Sequence, residues 1–117
     1  ESRRDFVFVK DLANVALKAC DGAGKGAYHF SSGKDVAIKD LYDEVVKAMG
    51  LNHYPEVEIK KLGPDDVFSI LLDPKRTFED FGNIKFTDLS TTVSEAIDYF
   101  KQHGTLGEYT HLKIDKK

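Results

Sequence analysis

The sequence is poor in cysteine and in long apolar segments, and each shortage excludes a class of protein. Its single cysteine, Cys20, excludes an intramolecular disulfide, and its four histidines show neither HxxxH nor HExxH spacing, so we expect no metal site. Cys20 falls within an amphipathic helical pattern, where we expect a small buried thiol. No apolar run approaches the roughly 20 residues that a membrane-spanning helix needs. Because no charged-then-apolar signal segment opens the sequence, we predict a cytoplasmic protein with no membrane partner.

An excess of positive charge is also missing. The 117 residues include 17 lysines and arginines against 20 aspartates and glutamates, which gives a formal net charge of -3. Binding to phosphate backbones relies on clustered basic residues, and the sequence has no such block, so we expect no nucleic-acid partner. The 41% of hydrophobic and 32% of charged residues are typical of a globular protein, and the length allows one hydrophobic core.

The first half of the sequence alternates predicted strands and helices. Residues 6–9 are apolar on both faces, which predicts a strand covered from both sides. An apolar face with spacings of three and four residues predicts a helix over residues 11–21. Residues 27–30 predict a second short strand. A second helical stripe over residues 38–49 ends at Gly50, a residue type common after helix ends.

The second half continues the alternation. Apolar and charged residues alternate over residues 56–60, which predicts an edge strand with one face in water. Asp73-Pro74 predicts the start of a short helix that ends at Gly82. Asp88 predicts the cap of a last helix, which ends at Gly104. Together these elements predict an α/β fold with a short, partly parallel sheet and flanking helices.

Two glycine-containing segments deserve comparison with phosphate-binding loops. GAGKG at residues 22–26 follows a predicted helix and precedes a predicted strand, whereas phosphate loops follow a strand and open a helix, so we interpret it as a connector. SSGK at residues 31–34 does join a strand to a helix. We interpret it as a turn, and the alternative is that its backbone N–H groups bind an anion.

The start of the sequence resembles a known family. RDFVFVKDL at residues 4–12 is similar to the R-D-(F/Y)-(I/V)-(H/Y)-V-x-D stretch of the extended short-chain dehydrogenase/reductases that act on nucleotide-diphosphate sugars. These enzymes are the epimerases, 4,6-dehydratases and decarboxylases. AYHFSSG at residues 27–33 resembles the family's Y-N-(V/L)-G-(S/N)-G strand and turn, and VAIKDL at residues 36–41 resembles the helix start that follows.

The resemblance continues through the second half. PDDV at residues 64–67 resembles the family's P-G-D segment, and DPKRT at residues 73–77 resembles its D-x-S-K-A segment. The last predicted helix, over residues 88–100, is similar to the family's closing helix. The matching segments keep the family's order over about residues 3–103.

The resemblance implies a division of the enzyme into two parts. Residues 1–104 would form the small C-terminal substrate-binding domain, and residues 105–117 a C-terminal tail. The sequence contains no G-x-x-G-x-x-G turn, with which the family binds NAD, and the spacing of the family's proton-transferring Tyr-x-x-x-Lys pair occurs only at residues 109–113, in the tail after the last predicted helix. We therefore expect the N-terminal Rossmann domain to be absent from this chain, which would be part of a longer one. Alone it would bind no NAD and contain no catalytic residue.

In the full-length enzyme, the resemblance implies transient oxidation of a nucleotide-diphosphate sugar at C4 by NAD, in a homodimer. The family's arginine in R-D-F contacts the diphosphate, and it corresponds to Arg4, whose planar guanidinium suits two phosphate oxygens. The alternative for Arg4 is a surface salt bridge at the start of a strand. We expect Asp5 and Asp11 to cap or brace the turn from the first strand to the first helix rather than to contact substrate.

Two departures from the family pattern affect this site and the nearby helix. Gly63 stands where the family has a second diphosphate arginine, which would weaken the diphosphate site or shift it to Lys60, Lys61 or Arg76. Ala37 stands where a serine caps the second helix, so that helix needs another cap.

The function alternative from another class is a free-standing α/β ligand-binding or interaction module without catalysis, because a fold alone does not determine function. The sequence does not distinguish epimerase from dehydratase, decarboxylase or reductase. It does not identify the nucleotide or the sugar either.

Overall fold

A computed structural model of the chain describes residues 2–104. The predicted tail, residues 105–117, lies outside the described residues. The elements in chain order are β1 (Arg3–Arg4), α1 (Val9–Cys20), β2 (Val36–Ala37), α2 (Ile38–Ala48), β3 (Ser69–Ile70), α3 (Lys75–Phe81) and α4 (Leu89–His103).

The three strands form one small mixed sheet in the order β2-β1-β3. β1 pairs antiparallel with β2, with Arg3 opposite Ala37. It pairs parallel with β3, with Arg4 opposite Ile70. The predicted α/β class with a short, partly parallel sheet is confirmed, and β1 lies at its centre.

The strands predicted at residues 6–9, 27–30 and 56–60 are wrong. Phe8 has extended backbone but serves as the residue before α1, which already begins at Val9. The carbonyls of Ala27 and His29 accept hydrogen bonds from side chains of α3, so residues 27–30 bond to a helix and not to a strand. Residues 56–60 are exposed on every side and carry no strand pairing within the described part of the chain. Alternating apolar and polar residues form a strand only where an adjacent strand is available for backbone hydrogen bonds.

The helices agree with the sequence pattern because their signals are local. The Asp88 carboxylate accepts a hydrogen bond from the backbone N–H of Thr91 at 2.9 Å, as predicted for the cap of α4. α2 replaces the missing serine cap with Asp40, whose carboxylate accepts from the backbone N–H of Ala37 at 3.3 Å. α3 begins at Lys75, and the Asp73 carboxylate accepts from the N–H of Lys75 at 2.9 Å.

α1 differs from its prediction in burial. Of its apolar residues only Val15 is buried, and Leu12 and Leu17 are 45% and 63% exposed. Cys20 is exposed as well, so the prediction of a buried thiol is wrong. The pattern places an apolar stripe on α1 correctly, but among the described residues only Val15 of that stripe is buried. Polar contacts also connect α1 to the rest of the chain, including an ion pair between Lys10 and Glu95 of α4.

The buried core of the described residues is small. α2 and α4 form its main helix–helix contact, and no large side chain is fully buried. The buried hydrophobic residues are Phe8, Val15, Ala37, Val46, Phe81 and Val93.

A second cluster packs the 22–26 connector against α3. The rings of Tyr28 and Phe81 meet edge to face with centroids 5.0 Å apart, and the Arg76 guanidinium lies 4.6 Å from the Tyr28 centroid. Gly24 has a φ of 76° and approaches this cluster so closely that a Cβ would lie 2.5 Å from the Phe81 ring. The segment is a connector, as predicted, and Gly24 makes its close packing possible.

Replacing Gly24 by alanine is expected to destabilise the protein more than replacing Gly22. Both positions have positive φ, but a Cβ at Gly22 meets nothing within 4 Å. Gly22→Ala should therefore cost only backbone strain, about 1 kcal/mol, whereas Gly24→Ala adds a clash with Phe81 and should cost about 2–4 kcal/mol. Thermal unfolding of both variants in the full-length protein, beside the full-length parent, checks this. Equal losses would show that the Gly24–Phe81 contact is wrong.

Candidate functional site

Arg4 lies at the end of the central strand with most of its guanidinium uncommitted. Its Nη1 donates to the carbonyl of Arg3 at 2.7 Å and to the carbonyl of Phe68, in the segment leading to β3, at 3.4 Å. The side chain is half-buried. Within residues 2–104 no carboxylate forms an ion pair with it. The remaining donors of the fork are thus available for an anionic ligand.

The ion pair at this strand belongs to Arg3. Its Nε donates to a carboxylate oxygen of Asp35 at 3.0 Å, and its Nη2 donates to the Asp35 carbonyl at 3.1 Å. The salt bridge that the sequence offered as an alternative for Arg4 is therefore formed by the preceding residue. Alternate residues of a strand point to opposite faces, so the pairing of Arg3 leaves Arg4 directed away from Asp35.

Asp35 connects all three strands. It precedes β2, it pairs with Arg3 of β1, and its second carboxylate oxygen accepts from the Ser69 hydroxyl of β3 at 2.7 Å. The hydrogen bond from Ser69, followed by that from Arg3, holds the pKa of Asp35 below its usual value. Sequence reasoning missed this residue, because nothing local links Asp35 to partners more than 30 residues away.

Asp5 has a structural role, as expected, but it braces the turn at residues 31–34 and not the strand-to-helix turn for which it was predicted. Its carboxylate accepts from the Ser31 hydroxyl at 2.6 Å, and from the backbone N–H and the hydroxyl of Ser32 at 2.7 and 2.6 Å. The N–H groups of Gly33 and Lys34 donate to the hydroxyls of Ser31 and Ser32. The N–H groups of residues 32–34 are therefore satisfied internally, and the geometry favours a turn over an anion-binding loop.

Asp11 braces the start of α1 against the segment before α4. Its carboxylate accepts from the backbone N–H and the hydroxyl of Thr87 at 2.7 and 2.9 Å. Like Asp5, it is occupied by structural hydrogen bonds, which agrees with the sequence interpretation.

The three cationic residues proposed as substitutes for the missing second arginine differ in how far other groups already engage them. Arg76 donates to the carbonyls of Lys25 and Ala27 at 2.8 and 3.1 Å, so it belongs to the aromatic cluster. Lys60 pairs with Glu58 at 3.5 Å in an exposed segment, a geometry that contributes little energy. Lys61 is exposed. At Gly63 the backbone N–H donates to the Asp66 carboxylate at 2.7 Å, which closes a tight turn.

Other kinds of site find no support in the described residues. Between residues 2 and 104, no group of three or more histidine, cysteine, aspartate or glutamate side chains is arranged to hold a metal ion. No helix in this range is long and apolar enough to cross a membrane.

Comparison with known proteins identifies relatives along most of the chain, although no family model matches it. The chain is 28% identical over 104 residues to a probable UDP-arabinose 4-epimerase of Oryza sativa, with 86% of this chain and 25% of that protein covered. It is 26% identical over 99 residues to the UDP-glucose 4-epimerase of Mycolicibacterium smegmatis, with 84% of this chain and 31% of that protein covered.

Solved structures extend this similarity to the fold. The enzyme WbmH of Bordetella bronchiseptica in complex with NAD+ is 64% identical and superposes with a TM-score of 0.84, covering 90% of this chain and 35% of WbmH. The enzyme WbmG of the same organism, in complex with NAD and UDP, is 28% identical with a TM-score of 0.77, covering 88% of this chain and 34% of WbmG. The chain thus spans between a quarter and about a third of these relatives. These likenesses confirm the resemblance seen in the sequence: the chain is similar to nucleotide-sugar 4-epimerases of the extended short-chain dehydrogenase/reductases, and it matches a C-terminal part of such an enzyme.

Proposed function

We propose that this chain is the substrate-binding part of an NAD-dependent nucleotide-diphosphate-sugar epimerase or dehydratase. The observation that carries the proposal is the similarity of 86% of this chain to a probable UDP-arabinose 4-epimerase, and the 64% identity to the NAD+-bound enzyme WbmH supports NAD as the cofactor. Residues 1–104 form the substrate-binding domain, and the Rossmann domain that binds NAD lies in the part of the enzyme outside this chain. Cytoplasmic location and a homodimeric full-length enzyme stay predictions.

In the proposed reaction, this chain binds and orients the substrate and leaves the chemistry to the other domain. NAD, when bound there, accepts the hydride from sugar C4 and returns it. The guanidinium of Arg4 binds the diphosphate, and its two backbone acceptors hold it at the end of β1. The UDP bound by WbmG supports a uridine diphosphate as the first nucleotide to test.

The burial of α1 supports this division. Its apolar residues Val9, Leu12 and Leu17 are exposed within the described part of the chain, and an exposed apolar surface of this kind suits contact with a second domain. The alternative of an independent binding module has no comparable observation in its favour.

The proposal is tested on the full-length enzyme with UDP, dTDP, GDP and CDP sugars. We expect co-purified NAD, turnover of at least one of these sugars, and transient formation of NADH absorbance during turnover. A full-length protein that contains no NAD-binding domain, or that turns over none of the four nucleotide classes when NAD is supplied, would show that the proposal is wrong.

The isolated 117-residue chain is expected to bind neither NAD nor NADH. No strand of the described residues leads through a glycine-rich turn into a helix in the Rossmann manner, so no ring of backbone N–H groups faces a pyrophosphate. Isothermal titration calorimetry measures this, with the full-length enzyme as the positive control. Micromolar binding of NAD to the isolated chain would contradict the assignment of the cofactor to the other domain.

A further inference from the structure

The orientation of the Arg4 side chain is set by backbone groups that lie outside Arg4 itself. Its Nη1 rests on two backbone carbonyls, those of Arg3 and Phe68, and the second belongs to a segment 64 residues away in the chain. The direction of the guanidinium therefore depends on how β1 and the chain before β3 are aligned. Each strand contributes only two residues to the sheet, so few ladder hydrogen bonds define this alignment.

Side-chain hydrogen bonds help to fix the alignment of β1 and β3, and they converge on Asp35. One carboxylate oxygen of Asp35 accepts from Arg3, the residue before Arg4, and the other accepts from Ser69, the residue after Phe68. The same Phe68 carbonyl that accepts from Arg4 also accepts from the backbone N–H of Arg3 at 2.8 Å. The Asp35 carboxylate thus binds the residue next to Arg4 and also the residue next to Phe68, whose carbonyl accepts from Arg4.

We propose that Asp35 is a positioning residue for substrate binding: by holding Arg3 and Ser69 together, it holds the Phe68 carbonyl under the Arg4 guanidinium and directs the free donors of Arg4 toward the diphosphate. This inference rests on the proposed function, in which Arg4 binds that diphosphate. Asp35 touches no substrate in this arrangement. Its effect is transmitted through the alignment of β1 and β3.

Asp5 serves a different purpose, although it also lies beside Arg4. Its carboxylate is taken up by Ser31 and Ser32, in the turn before β2, and by no residue of β3. Asp5 reaches the chain just after β3 only indirectly, through the Ser31 hydroxyl, which also donates to the Leu72 carbonyl at 2.9 Å. Asp35 instead bonds directly to a residue of β1 and to a residue of β3, the two strands whose alignment sets the direction of Arg4.

The test measures KM and kcat of the full-length enzyme for its nucleotide sugar. Asp35→Ala should raise KM about threefold to tenfold with kcat little changed, because substrate binding is impaired and the reacting centre is untouched. Asp35→Asn keeps an acceptor for one partner and should give a smaller rise. Ser69→Ala breaks only the β3 side of the bridge and should also raise KM, so the test survives if Asp35→Ala folds poorly.

Asp88→Ala is the matched control. Asp88 is also a carboxylate whose pKa is lowered by hydrogen bonds, from the backbone and then the side chain of Thr91, but it caps α4. It should lower thermal stability and leave KM unchanged.

A double-mutant cycle with Arg4→Ala separates positioning from general destabilisation. Where Arg4 is already absent, Asp35→Ala should raise KM no further. If Arg4→Ala raises KM but Asp35→Ala and Ser69→Ala do not, or if the effects of Asp35→Ala and Arg4→Ala simply multiply, the positioning role is wrong and the role of Arg4 stands. If Arg4→Ala leaves KM unchanged, the diphosphate role of Arg4 is wrong and the inference fails with it.

Discussion

Replacing Arg4 by alanine in the full-length enzyme is expected to lower kcat/KM for the nucleotide sugar by about tenfold to a hundredfold. The loss corresponds to roughly 1.5–3 kcal/mol of charge-assisted hydrogen bonding to the diphosphate. It should appear mainly in KM, and affinity for NAD should barely change. Arg4→Lys should recover only part of the loss, because an ammonium retains the charge but lacks the planar two-point contact. Steady-state kinetics with the natural nucleotide sugar measure all three effects.

Arg76→Ala provides a control of the same residue type. Arg76 donates to two backbone carbonyls and lies over the Tyr28 ring, so its loss should lower the melting temperature without raising KM. The reverse outcome, in which Arg4→Ala lowers the melting temperature and leaves KM unchanged, would identify Arg4 as a structural residue.

The isolated chain is expected to be weakly stable and prone to association in solution. Seventeen large hydrophobic residues of the described part are exposed, and only six hydrophobic residues there, one of them an alanine, are buried. So little apolar burial should leave the net stability well below the about 5–15 kcal/mol of ordinary domains, and the exposed apolar surface should drive association. We expect binding of an apolar fluorescent dye, broad elution in size-exclusion chromatography and a shallow unfolding transition.

The full-length enzyme is the control for that experiment. Its other domain should cover the stripe on α1, so it should bind little dye and unfold cooperatively. A monodisperse, stable monomer of the isolated chain that binds no dye would contradict the need for a covering domain.

The helices were predictable from sequence because each depends on neighbours within a few residues. The cap at Asp88 and the end of α4 before Gly104 follow from residue types alone. The strands were not predictable in the same way. β1, β2 and β3 have two residues each, too few to show a period of two, and each is defined by partners far along the chain.

The candidate site shows the same limit. The resemblance to a family identified Arg4, and the structure places it on the central strand with free donors. Nothing in the sequence shows that Arg3 rather than Arg4 pairs with a carboxylate, because Asp35 lies 32 residues away. Asp35 itself carries no local signal, and only the folded sheet reveals what it connects.

The separation of the sheet's partners along the chain also bears on how the protein folds. Arg4 and the carbonyl it rests on are 64 residues apart, and Asp35 and Ser69 are 34 apart. Closing loops of this length costs conformational entropy before any contact compensates it, whereas α2 and α4 gain hydrogen bonds residue by residue. We therefore expect the helices to form early and the sheet late. If Arg4 binds the diphosphate as proposed, its guanidinium is oriented only when β1 and β3 pair, so a partly folded enzyme would have helices but no diphosphate site.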